Sequence, residues 1–207
     1  MKFNRNIVGW MLYDFANSAF TTIIVSVVYS VYFIKSVVVG NAGYGEMLWG
    51  RAIGISMALV AISAPIFGAV ADYSRAKKRM LFINCYLTII FTSLLFFVKP
   101  GNVFTGMLFF IIANFGFNSA NVFYDAFLPE ICKPEDIGKV SGFGWAIGYV
   151  GGLVSLLVAL FLVKINVRIV FPAVALHLFL FSLFTFFWLK EFRPPSQRSN
   201  YYRIAWQ

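Results

Sequence analysis

Charged residues cut this chain into long apolar runs. The uncharged stretches Phe15–Ile34, Ala52–Ala71, Met80–Val98, Pro100–Tyr124, Val140–Val163 and Ile169–Leu189 are 20, 20, 19, 25, 24 and 21 residues long. A helix rises about 1.5 Å per residue, so about 20 apolar residues cross a hydrocarbon core. The pattern predicts six membrane-spanning helices with short connections. The strands of a membrane β-barrel would alternate over segments of about ten residues. These runs are continuously apolar, so the predicted fold class is all-α, a six-helix membrane bundle. The first run carries Asp14 at its start and lacks a small-residue cleavage site after Ile34. It therefore reads as a retained helix and not as a signal peptide.

Polar residues inside the spans are costly in hydrocarbon, so their placement carries information. On the fourth span Asn114, Asn118, Asn121 and Asp125 recur at steps of four, three and four, a narrow stripe at about 100° per residue. On the first, Asp14, Ser18 and Thr21 share a face, with Asn17 and Thr22 beside it. Each helix thus carries a polar seam ending in a carboxylate. The seams read either as a solute path with a carboxylate for a proton or cationic group, or as interhelical hydrogen-bond glue. Asp14 has a further reading, a carboxylate stabilised near a helix N-terminus. The fifth span is rich in glycine. Gly144, Gly148 and Gly152 fall four apart with Gly151 beside them, a close-packing seam that implies a tight partner helix. His177 lies mid-span in the sixth helix and reads mainly as a packing residue. Pro65, inside the second span, predicts a kink.

Composition narrows the class. The 207 residues are 60% hydrophobic and only 12% charged, with a mean hydropathy of +0.80. A soluble domain carries about twice that charge, which excludes an ordinary soluble enzyme, a disordered chain and a disulfide-stapled secreted domain. Two cysteines and one histidine leave little for a metal site. No Gly-x-Ser-x-Gly, His-Glu-x-x-His or phosphate-binding Walker loop is present, so no catalytic residue, metal or cofactor is assigned. The net charge of +9 follows from the loops. Twelve Lys and Arg fall on one side of the predicted bundle and five on the other, which places both termini in the cytoplasm by the positive-inside rule. The same charges suit an anionic bilayer surface better than nucleic acid, because they are scattered over loops.

Four stretches carry a family resemblance. GAVADYSRAKKR, Gly68 to Arg79, resembles the signature loop of the major facilitator superfamily. Gly68, Asp72, Arg75, Lys78 and Arg79 match that pattern, while Ser74 or Arg75 stands where a glycine is expected. WMLYDFANSAF, Trp10 to Phe20, resembles the opening motif of the vacuole-effluxer family within that superfamily. FYDAFLPEI, Phe123 to Ile131, is similar to the end of its fourth span, where Asn often replaces Asp125. GWAIGYVGG, Gly144 to Gly152, resembles its glycine motif, with Tyr149 where proline is usual in the superfamily's antiporter motif.

The resemblance implies a secondary transporter that exports amino acids or other small metabolites by alternating access, in a bacterial inner membrane. It implies a solute path through Asp14, Asn17, Ser18, Thr21, Asn114, Asn118, Asn121 and Asp125. Gly68, Asp72, Arg75, Lys78 and Arg79 would form the gating loop. Six spans match the N-terminal half of that fold, with residues 1–193 as the bundle. Residues 194–207 form a basic cytoplasmic tail leading toward a central loop. Asp72 and the glycine face of the fifth span are then expected to pack against a second half. Three expectations stay open: a truncated or relic chain, half of a split transporter, or a homodimer formed through the glycine seam. A membrane assembly partner without transport is the alternative function.

Overall fold

The computed structural model describes residues 4–40, 42–73 and 76–191, with the side chains of 42, 72 and 73 left out. The described residues form helices joined by short turns and irregular connections, and six of the helices are long and apolar enough to cross a membrane: α1 Arg5–Val37, α2 Gly43–Ala71, α3 Lys77–Phe97, α4 Val103–Ile131, α5 Pro134–Ile165 and α6 Val167–Trp188.

The helices run beyond the apolar runs that reveal them. The largest difference is at α1, which starts at Arg5, capped by the Asn4 side chain accepting from the Ile7 backbone N–H at 2.9 Å. Asp14 therefore lies more than two turns inside α1, and the helix-terminus reading of its carboxylate does not hold. Beyond Ala19, α1 widens into a π-helix over Phe20–Val27 and again over Phe33–Val37. Nothing in the residue pattern announces this. Tyr29 and Tyr32 pin the widened part by donating to the carbonyls of Gly106 (2.8 Å) and Val98 (2.9 Å). α3 ends at a turn in which Gly101 holds φ +86° and donates its N–H to Val37 O at 2.9 Å. That φ favours glycine.

The two triplets of helices interleave. α1, from the first triplet, packs along α5 and α6 of the second; α4, from the second, packs along α2 and α3 of the first. α3 and α6 also pack together. A swap of this kind buries α1 and α4 most, and leaves α2 the least covered of the six. One aromatic cluster surrounds Tyr29, Phe33, Phe110 and Phe171. A second surrounds Trp10, Tyr13, Phe123 and Leu178 at the end of the bundle that carries Lys77, Lys133 and Lys139.

Candidate functional site

A cavity of about 590 Å³ opens between α1, α4 and α5. α1 contributes Trp10, Asp14, Asn17, Ser18, Thr21 and Thr22, positions that recur every three or four residues and so share one face. α4 contributes Phe117, Asn121, Tyr124 and Asp125, and α5 contributes Ser141, Trp145, Tyr149, Gly148 and Gly152 among others. The two polar seams read from the sequence meet here. Asn17 Nδ2 donates to Asn121 Oδ1 at 2.9 Å.

The upper part of the α4 stripe does something else. Asn114 is buried and donates to Ser56 Oγ at 2.7 Å, tying α4 to α2. Asn118 turns back to its own helix, donating to Asn114 O at 2.8 Å and to Asn114 Oδ1 at 3.2 Å. Neither is among the lining residues of the cavity. So Asp14, Asn17, Ser18, Thr21, Asn121 and Asp125 are brought together, while Asn114 and Asn118 work between helices. Angular spacing alone could not separate the two groups, because the stripe is continuous and only the position of α2 divides it.

The aromatic wall is the part the sequence reading did not assign. Trp10 stacks on Tyr124 with ring centroids 4.4 Å apart and planes 9° from parallel, and its indole N–H donates to Tyr124 O at 3.0 Å. Trp145 and Tyr149, one turn apart on α5, leave 66% and 71% of their surface exposed at the mouth. Their four-residue spacing within the glycine motif was the available signal. Asp14 Oδ2 and the Tyr124 hydroxyl are buried and face each other, with no other hydrogen-bond partner among the described residues.

The glycine seam has its partner inside this chain. A Cβ at Gly144 would meet Asp14 Oδ2 at 2.6 Å and Trp10 at 2.7 Å. One at Gly148 would meet Ser18 Oγ at 2.8 Å, one at Gly152 would meet Thr22 Oγ1 at 2.9 Å, and one at Gly151 would run into the Phe15 carbonyl oxygen. The seam is where α1 lies against α5. This corrects the expectation that it faces a second half or a second copy: α1 occupies it. The absence of side chains on α5 lets the carboxylate of Asp14 sit against the backbone.

The gating-loop residues divide differently. Position 68 has open space around it, with nothing within 4 Å of an added Cβ. The helix that contains the α2 span continues to Tyr73, with Asp72 in its last turn; the Asp72 side chain, like all of Arg75, lies outside the described residues. Arg79 is exposed. The Lys78 backbone N–H donates to a Glu191 carboxylate oxygen at 2.6 Å, a carboxylate at the start of α3 as the helix dipole favours. The buried cation of this region is one that the motif did not single out. Lys77 Nζ lies 2.8 Å from Glu130 Oε1 with both side chains about 5% exposed or less, donates to Ala126 O at 2.9 Å, and sits 5.3 Å from the centre of the Phe127 ring.

Comparison with known proteins places this geometry. The vacuole effluxer Atg22-like family model matches residues 51–138. Over that segment the chain is similar to that family. Over 161 residues it is also 29% identical to the uncharacterized MFS-type transporter YxiO of Bacillus subtilis (strain 168), an alignment covering 77% of this chain. The chain spans 38% of the length of that curated relative. No solved structure matches it. The family match runs through α2, α3 and α4. It includes the Asn121–Asp125 wall of the cavity, whereas the α1 and α5 walls lie outside the matched segment.

Proposed function

We propose that this chain is a six-helix unit of a secondary transporter that exports amino acids or other small metabolites, with the α1–α4–α5 cavity as its share of the solute path. The observation that carries this reading is the cavity itself: about 590 Å³, lined by two carboxylates and a set of amides and hydroxyls within otherwise apolar helices. Polar groups at such depth mark solute paths in membrane proteins. The exposed face of Trp145 and Tyr149 suits a second six-helix unit closing the cavity from the other side. Alternating access is then the rocking of one unit against the other around the site. The loop from Gly68 through Asp72 and Arg75 to Arg79 would brace that motion. In this reading the membrane is a bacterial inner membrane and both termini are cytoplasmic, an orientation supported by the excess of Lys and Arg on one side.

The test is flux in inverted membrane vesicles from cells producing the chain, which retain any partner unit. Labelled amino acids should accumulate in a saturable way above vesicles lacking the chain. Thr21→Trp, which fills the cavity, should remove the difference. Equal accumulation with and without the chain overturns the reading.

A further inference from the structure

The lining of the cavity is unbalanced in both charge and hydrogen bonding. It contains Asp14 and Asp125, and among its described residues no lysine, arginine or histidine. Three of its donors are committed within the protein. Trp10 N–H donates to Tyr124 O, Asn17 Nδ2 to Asn121 Oδ1, and the Thr21 hydroxyl to Ser18 O at 3.1 Å. Beyond these contacts the cavity holds the two carboxylates of Asp14 and Asp125 with no cation among the described lining residues to balance them. Asp14 Oδ2 faces the Tyr124 hydroxyl, on a side chain only 4% exposed. Carboxylates withdrawn from water without a cation are costly, so the site suits a ligand that brings positive charge and N–H groups. Trp145 and Tyr149 stand at the mouth with ring centroids 6.2 Å apart, edge to face. Indole and phenol faces attract cations and cover apolar surface.

From these features we infer that the cavity takes the ammonium group of an organic amine, with the apolar body of the amine against Trp145 and Tyr149, and that its described lining supplies no cation for a carboxylate. The inference rests on reading the cavity as a solute path. It narrows that reading: an amino acid would be held here by its amino end, and its carboxylate would have to find a cation elsewhere. A carboxylate ligand alone would meet two like charges and no cation among the described lining residues. The volume is within the range of small-molecule sites, about 300–1,000 Å³.

Three probes sharing one phenylethyl frame separate the possibilities: phenethylamine, phenylalanine and 3-phenylpropanoate. Each is titrated calorimetrically into the purified chain in lipid nanodiscs. Phenethylamine should bind at least about tenfold more tightly than 3-phenylpropanoate, a ratio typical of one charge-assisted contact. Phenylalanine should bind no more tightly than the amine. Asp14→Asn should weaken amine binding by a similar factor, with Asp14→Glu restoring part of it. Trp145→Leu, at an exposed position that tolerates change, should weaken it by about fivefold. The inference is overturned if the acid binds as well as the amine, if the amine does not bind, or if both Asp14→Asn and Trp145→Leu leave its affinity unchanged. Tighter binding of phenylalanine than of the amine overturns the claim about the carboxylate. Labelling of Thr21→Cys by a membrane-impermeant thiol reagent provides a separate readout. Labelling without amine binding sinks this inference and leaves the solute path standing; no labelling sinks the path as well.

Discussion

Asn17 and Asn121 join α1 to α4 through a single amide–amide hydrogen bond of 2.9 Å at the wall of the cavity. The two residues come from the two polar seams and from different helix triplets. The bond is therefore both glue and lining, and the two readings of a membrane asparagine do not exclude each other here. Interhelical hydrogen bonds in membranes contribute about 0.6–2 kcal/mol. Asn121→Ala should cost about 1 kcal/mol of stability, read as earlier thermal unfolding in detergent. Asn118→Ala, which removes bonds made only to the adjacent turn, should unfold close to the parent. Equal losses from both would mean that the α1–α4 bond does not form.

The α1–α5 contact gives a paired test. Both Gly151 and Gly142 lie inside the helix of α5, where alanine is intrinsically favoured by about 1 kcal/mol. At Gly142 nothing lies within 4 Å of an added Cβ, so Gly142→Ala should be neutral or slightly stabilising. At Gly151 the methyl would run into the Phe15 carbonyl. Overpacking costs about 1–3 kcal/mol, so Gly151→Ala should be destabilising despite its better propensity. Opposite shifts in melting temperature for the two variants are the expected result. Equal shifts would place α1 elsewhere.

His177 bears on the same contact from α6. Its Nε2 lies 3.2 Å from Phe15 O, and its ring packs 5.2 Å from Phe15 and 4.8 Å from Phe181 between centroids. It does not line the α1–α4–α5 cavity. His177→Leu should lower stability by about 1 kcal/mol, the size of one hydrogen bond. It should leave solute flux in vesicles intact. Loss of flux with an unchanged melting temperature would give this histidine a direct role in transport.

How far these arrangements can be read from the residues depends on where the information lies. Six spans are legible because uncharged runs of about 20 residues have few other uses. The cavity faces of α1 and α4 are legible because a polar stripe in an apolar helix has a definite angle. The start of α1 is not, since Arg5–Asp14 is an ordinary amphipathic stretch that becomes helical through packing on α6, where Thr185 donates to Gly9 O at 2.7 Å. The π-helical turns are not, because Phe20–Val27 has no breaker or cap to mark them. The partner of a glycine seam is a tertiary fact: GWAIGYVGG says that something comes close, and only the interleaving of the triplets makes that something α1. The division of Asn114 and Asn118 from Asn121 is tertiary for the same reason, set by Ser56 on α2.

Lys77 is the strongest instance, because its neighbours in the basic run, Lys78 and Arg79, look equivalent in sequence and lie at the surface or nearer it. Its ammonium is enclosed by Glu130, the Ala126 carbonyl and the Phe127 ring, where α3 begins and α4 ends. Desolvating two charges costs several kcal/mol, offset by their attraction and by the extra hydrogen bond. Removing one partner takes this pairing from the other charge while it stays buried. Lys77→Met should therefore destabilise by about 3 kcal/mol or more, whereas Lys77→Met with Glu130→Leu should recover a large part of the loss, since an apolar pair needs no compensation. Thermal unfolding of both variants in detergent gives the comparison. Because the pair is enclosed, the parent's melting temperature should also be insensitive to added salt, unlike an exposed pair. A double variant as unstable as Lys77→Met alone would mean that the charges act through some contact other than each other.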